Sequence, residues 1–262
     1  MERKKKVAVL LSLSSLLVGT ILFGGTLLGE ASLQEGSSSH FVDTATHSDA
    51  EIIYDVTSAD KSIALTFDDG PDETTESILN VLQEYQVKAT FFVVGENCRQ
   101  RQETVKRVFQ SGHEIGNHTY THLRFRGKTQ ERVVEEIAKT NQVVYELTGE
   151  TPKFFRPPGG TINDMIKVAA KRENVKIVLW TAEEDSRDWR NPGVSWIIKN
   201  VTEHAKEGSI VLLHDGGGPR RQTLQALPTI ISILKKKGYH FVTISELLQK
   251  EVKVLRPEEL LK

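Results

Sequence analysis

Hydrophobic positions fall into three regimes along the chain. Val7 to Gly29 is one uncharged run, VAVLLSLSSLLVGTILFGGTLLG, behind Arg3, Lys4, Lys5 and Lys6. From Glu30 to about Ala50 the composition turns to Ser, Thr, His, Gly and Asp, with little to bury. From Ala59 on, short apolar runs alternate with amphipathic stretches. Strand-like runs are Ile63–Phe67, Ala89–Val94, Glu114–Gly116, Phe154–Arg156, Lys176–Trp180, Ser209–Leu213 and His240–Thr243, short and bounded by turn residues. Helical patterns lie near Glu73–Tyr85, Arg101–Gln110, Thr129–Leu147, Asn163–Lys171, Val194–Ala205 and Thr223–Lys237. Val133, Val134, Ile137, Val144 and Leu147 show the helical spacing, with charges between them. Seven β units joined by helical crossovers predict an α/β fold with a parallel sheet. In barrels of that kind, chemistry sits at the C-terminal ends of the strands.

The N-terminal run counts 23 residues, enough to span a hydrocarbon core of ~30 Å at ~1.5 Å per residue. Its basic flank would stay in the cytoplasm while the remainder crosses. An uncleaved transmembrane anchor is the first reading. A cleaved signal peptide, with Gly29-Glu30-Ala31 as a poor cleavage site, is the second. The chain then divides into an anchor or signal segment (1–30), a flexible spacer (31–57), a catalytic domain (58–250) and a charged tail (251–262). The catalytic domain is expected outside the cytoplasm at the cell membrane, or secreted if the run is removed. A net charge of −1 gives no reason to expect nucleic acid or a strongly charged partner. The single cysteine, Cys98, excludes an intramolecular disulfide and a thiolate metal cluster. No obligate protein partner is evident.

Candidate chemistry gathers where the strands end. Asp68 and Asp69 close the first strand before Gly70-Pro71. Two adjacent carboxylates call for a cation or a proton to relieve their repulsion. Neighbouring strand residues face opposite sides, so the two acids are expected to do different jobs unless the turn re-aims one. Asp72 is the better candidate for capping the helix that starts at Glu73. After the third strand, His118 and His122 stand at i and i+4, which in a helical turn brings both imidazoles to one side. With an aspartate from the first strand they make a two-His, one-Asp site. Such a set leaves positions open for water and substrate, as catalytic metals require. Zn²⁺ is the default ion, and Co²⁺, Mn²⁺ and Fe²⁺ suit the same ligands. Arg156-Pro157-Pro158-Gly159-Gly160 follows the next strand, and a buried Arg156 there would orient a carboxylate bidentately. The loop from Trp180 carries Asp188 beside Trp189, a candidate sugar-stacking surface, and His214 ends an otherwise apolar strand.

The ordered set TFDDG, HTYTH, RPPGG, DSRDW and LLHD resembles the polysaccharide deacetylases, the NodB-homology domains of carbohydrate esterase family four. The resemblance covers about Ser58 to Leu248, with all five motifs in the family's order. It implies a distorted (β/α) barrel of about seven parallel strands and metal-dependent removal of N-acetyl groups from amino-sugar polymers. Peptidoglycan is the glycan an exported bacterial member would meet. By the resemblance, Asp69, His118 and His122 are the metal ligands and Asp68 is the general base, oriented by Arg156. His214 is the general acid, tuned by Asp188, and Trp189 and Leu212 line the acetate pocket. Family members often carry an aromatic where this chain has Gly159. The backbone N–H used there for the oxyanion is kept, while a side-chain contact to substrate is lost. Asp68 and His214 differ in charge and are expected at opposite strand ends, suited to removing a proton from water and protonating the departing amine. An O-acetyl esterase on xylan and a silent glycan-binding barrel are the alternative functions. The silent reading expects a lost base, ligand or acid, and all are present here. His113, His204 and His240 are assigned to packing or surface, and Cys98 to a buried thiol without catalytic duty.

Overall fold

A computed structural model describes residues 51–57 and 60–251 of the chain. The apolar N-terminal run, most of the spacer and the charged tail lie outside the described residues. Among the described residues no helix is long and apolar enough to cross a membrane.

Eight strands form the sheet: β1 (Ile52–Ile53), β2 (Ser62–Asp68), β3 (Thr90–Val93), β4 (Glu114–Asn117), β5 (Phe154–Phe155), β6 (Lys176–Val178), β7 (Ile210–His214) and β8 (His240–Phe241). The order is β1-β6-β5-β4-β3-β2-β7, with β8 also on β2, and every ladder between them is parallel. All seven expected strands are present, shifted by a residue or two at their ends. The eighth, β1, lies in the stretch assigned to the spacer. Ile52 and Ile53 pair with Ile177 and Val178, and the Val56 N–H donates to Gly208 O at 3.0 Å. The fold therefore starts by Glu51. The two ends of the sheet curl towards one another: Thr181 N–H donates to Ile210 O at 3.0 Å, next to an isolated antiparallel bridge between Asp55 and Ser209.

The crossovers are α1 (Glu73–Glu84), α2 (Gly95–Gln100), α3 (Gln102–Gln110), α4 (Gln130–Thr148), α5 (Asp164–Arg172), α6 (Val194–His204) and α7 (Arg221–Lys236), followed by α8 (Ile244–Gln249). Alternation along the strands sorts two cores. Ile63, Leu65 and Phe67 of β2, with Val211 and Leu213 of β7, pack outward against helical residues such as Ile78, Ile197 and Ile230. Ala64 and Ile210 face the other way, with Phe92, Phe154 and Val178. That inner row continues in β2 as Thr66 and Asp68, and in β7 as Leu212 and His214. A two-residue period thus delivers Asp68 and His214 to the inner face at the upper, C-terminal rim.

Candidate active site

Two parallel strands in register set the first pair. Asp68 and His214 are Cα partners across β2 and β7, so they are neighbours on one rim rather than at opposite strand ends as expected. Parallel neighbours lie only ~4.8 Å apart, so the Asp68 and His214 side chains flank the same space. Asp69 follows with φ +75°, a left-handed turn that re-aims its carboxylate towards the inner side. The turn is held from outside: Asn97 Nδ2 donates to Asp69 O at 2.8 Å. Gly217 packs so closely that a Cβ there would stand 2.4 Å from Asp69 Oδ2, at φ +70°. The three glycines after Asp215 were a sequence signal for this close approach that the motif reading did not use.

His118 and His122 come from the loop after β4. The expected helical turn is absent, because Thr119 and His122 take φ of +69° and +54°. Their rings still meet, with centroids 5.1 Å apart. Two groups fold the loop. Asn117 Oδ1 accepts the Thr119 N–H at 2.8 Å, and its amide donates to Ile137 O and Asn141 Oδ1. Glu136 of α4, fully buried, accepts the Tyr120 N–H at 3.0 Å and the Thr121 N–H at 2.7 Å from one oxygen. Arg132 Nη2 balances that carboxylate at 2.6 Å. Glu136 was missed in the sequence. Its signal was a charge three residues after Val133 and beside Ile137, on the stripe of α4 that faces the core.

The three ligand atoms converge. His118 Nε2 lies 3.3 Å and His122 Nε2 3.1 Å from Asp69 Oδ1. Among the described residues this is where three such donors gather within 4.8 Å of one another. Ligands ~2.0–2.2 Å from one tetrahedral ion stand about 3.3–3.5 Å apart, so the spacing fits a divalent metal. Tautomer chemistry points the same way. His118 Nδ1 lies 2.7 Å from Arg156 O, and a carbonyl only accepts, so Nδ1 carries the proton. A neutral His118 then turns a lone pair on Nε2 towards Asp69 Oδ1, a buried oxygen that receives no hydrogen bond. A shared cation relieves this confrontation of acceptors. The donor set fits the group.

Around the trio, charges are held in place. Arg156 is fully buried, its guanidinium 4.0 Å over the Phe92 ring. Nη1 donates to Asp68 Oδ1 at 2.7 Å and to Thr66 Oγ1 at 2.8 Å, while Nε and Nη2 donate to Val178 O and Leu179 O. The contact with Asp68 is monodentate, not the expected fork, because the Val178 and Leu179 carbonyls at the C-terminal end of β6 take the Nε and Nη2 donors. Breaking such a buried pair from one side costs about 3–5 kcal/mol. Asp188 sits on a short 3-10 turn, Asp188–Arg190. Its Oδ1 lies 2.7 Å from His214 Nδ1, and Oδ2 accepts the His214 N–H and the Thr223 hydroxyl. Burial would lower the His214 pKa, but the Asp188 hydrogen bond and charge prevail and raise it.

Leu212 is buried two residues before His214, and Trp189 is 45% exposed with the Arg190 guanidinium 4.4 Å from its ring. Gly159, at φ +66° in the turn Pro158–Gly160, borders a cavity together with His122. Asp215 is buried behind the site, hydrogen-bonded to the Thr75 hydroxyl at 2.6 Å. Burial first, then the Asp69 and Asp68 charges, push it up to about 7. His113 accepts the Ala89 N–H, His204 bonds Asn200 O within its helix, and Cys98 is buried with its thiol pKa pushed far up by that burial.

The chain is similar to known proteins in sequence and in fold. A family model described as polysaccharide deacetylase matches residues 55–178. A peptidoglycan-N-acetylglucosamine deacetylase of Bacillus cereus is 46% identical over 76% of this chain and 93% of its own length. A peptidoglycan-N-acetylmuramic acid deacetylase of Bacillus subtilis is 36% identical over 75% of this chain and 40% of its own. Among solved structures, the Bc1960 peptidoglycan N-acetylglucosamine deacetylase in complex with an N-hydroxybenzamide superposes with a TM-score of 0.73. It is 38% identical, covering 78% of this chain and 96% of that one.

Proposed function

Because the chain belongs to the polysaccharide deacetylase family, we propose that it hydrolyses N-acetyl groups from an amino-sugar polymer with a divalent metal, and that the polymer is peptidoglycan. The observation that carries the proposal is the Asp69 oxygen facing two imidazole nitrogens with no hydrogen bond of its own, beside an aspartate and a histidine in register. Asp69, His118 and His122 would hold the metal, with Zn²⁺ as first choice. When bound, it supplies Lewis acidity that acidifies water and polarises the amide carbonyl.

The remaining work falls to the chain. Asp68, kept in place by Arg156, whose guanidinium also donates to the Thr66 hydroxyl, takes the proton of the attacking water as general base. Acetamide cleavage then needs a proton on the departing nitrogen. His214 is the group to give it, since Asp188 fixes its ring by Nδ1 and keeps it cationic at higher pH than a free imidazole. The Gly159 N–H is the donor proposed for the oxyanion, typically among the largest contributions to such catalysis. Trp189 and Leu212 are proposed to close around the acetyl methyl. The apolar run Val7–Gly29 behind four basic residues supports placement of this site outside the cytoplasmic membrane, where the wall polymer lies.

The test is acetate release by the purified protein from N-acetylated peptidoglycan, with chelator and then with Zn²⁺ or Co²⁺ restored. Release that stops and returns is the expected result. Release from acetylated xylan, with none from peptidoglycan, would replace this reading by an O-acetyl esterase.

A further inference from the structure

The cavity bordered by His122 and Gly159 carries charge that the chemistry above does not use. Its volume is about 740 Å³, within the ~300–1,000 Å³ usual for ligand clefts. The loop after His122 supplies Arg124, Arg126 and Lys128 to its wall, and among the described residues no acidic one lines it. All three side chains are exposed, and no hydrogen bond or ion pair among the described residues engages them. Three uncompensated cations on one loop stand out in a chain whose net charge is −1. The loop is anchored as well. Phe125, between the two arginines, is 4% exposed and packs in the cluster of Val133 and Ile137, and the Lys128 N–H donates to Phe125 O at 3.0 Å.

We propose that this cavity is an anion subsite that takes a carboxylate carried by the glycan strand next to the sugar being deacetylated. The proposal rests on the deacetylase reading and names its substrate class as an acidic, muramic-acid-bearing strand rather than a neutral N-acetylglucosamine polymer. A guanidinium fork matches a planar carboxylate, and two of them with a lysine exceed what hydroxyl groups require. That carboxylate has two sources: the ether-linked lactyl group of N-acetylmuramic acid where no peptide is attached, and the stem peptide's own carboxylates where the lactyl carboxyl is tied up as its amide. Position supports the assignment: the cavity begins at a proposed metal ligand and at the proposed oxyanion N–H, so it receives what lies directly beside the reacting acetamide.

The test compares the full-length protein with R124Q/R126Q/K128Q and R124E/R126E/K128E on three substrates. These are neutral N-acetylglucosamine oligomers, peptide-free alternating oligomers with N-acetylmuramic acid, and the same oligomers bearing stem peptides. Exposed ion pairs are individually weak, and three together set the scale at about tenfold. The expected result is a fall of about tenfold or more in the acidic-to-neutral ratio of kcat/KM, carried by KM. The wild-type preference should also shrink as salt rises and shortens the Debye length. A fall with the peptide-free acidic oligomers alone assigns the lactyl carboxylate, a fall with stem-bearing oligomers alone assigns a carboxylate of the peptide, and a fall with both shows that the subsite takes either. An unchanged ratio in both variants overturns the subsite. If the wild type releases acetate from none of the substrates, the deacetylase reading fails. Calorimetric binding of the same oligomers then decides the subsite: tenfold tighter binding of acidic oligomers by wild type than by the variants upholds it, and equal binding overturns it.

Discussion

At the lower rim of the sheet, where β3 and β4 begin, a histidine and a carboxylate stand side by side. His113 Nδ1 accepts the Ala89 N–H at 3.2 Å. Glu114 accepts the Thr90 hydroxyl, the Ser245 N–H and the Ser245 hydroxyl. Burial, with the Lys88 charge adding to it, lowers His113 to about 4, so it is neutral at physiological pH. The upper rim uses the same residue types to another end. Asp69 Oδ1 and Asp215 Oδ1 are buried without donors, and His118, His122 and His214 all turn towards carboxylates. Residue type alone does not separate the two ends. Satisfaction does so for the proposed metal ligands: at the lower rim the acid and the imidazole already have donors and partners, whereas Asp69 Oδ1 faces the His118 and His122 nitrogens without a donor.

Substitutions can break or sharpen this contrast. The largest effect is expected for Asp68→Asn, with kcat lowered about a thousandfold or more, at the upper part of what proton transfer contributes. Metal affinity should stay within about threefold, measured by chelator competition. Joint loss of metal and turnover would make Asp68 a ligand. Glu136→Gln should weaken metal binding by about 10- to 100-fold, the usual cost of removing a group that orients ligands, because an amide cannot accept both loop N–H groups while facing Arg132. Unchanged metal affinity would show that the loop folds without it. Asp188→Asn should lower kcat/KM by about tenfold and move the alkaline limb of the pH profile to lower pH. The sign follows from the raised His214 pKa: Asp188 extends the imidazolium to higher pH, and removing its charge withdraws that extension. An unmoved limb would exclude His214 as the acid. The smallest effect on turnover is expected at the lower rim. His113→Ala should keep kcat/KM within about twofold while costing about 1–3 kcal/mol in urea unfolding, because the Ala89 N–H loses its acceptor. A large loss of turnover at unchanged stability would erase the distinction between the rims.

Much of this arrangement was legible in the sequence, for identifiable reasons. Strands of a parallel sheet are buried on both faces and read as continuous apolar runs, so β2 and β7 stood out. β1 did not, since two isoleucines after a polar spacer give no pattern. Helix α2, GENCRQ, buries only Gly95 and Cys98 and shows no apolar period. Site residues were visible as chemistry but not as conformation. Asp69, Thr119 and His122 occupy left-handed backbone that no local signal demanded. It is imposed by Asn97, Asn117 and Glu136, of which Asn97 and Glu136 lie 28 and 15–16 residues away from the groups they bind. The neighbourhood of Asp68 and His214 is likewise a matter of strand order, with β7 inserted beside β2 from the far end of the chain.

The most direct test is to titrate chelator-stripped protein with Co²⁺ while following the ion's visible absorption and acetate release together. One binding equivalent, at which both signals saturate, is expected, and Asp69→Ala should lose that equivalent. Acetate release undiminished by stripping, or an unchanged Co²⁺ site in Asp69→Ala, would contradict the metal assignment.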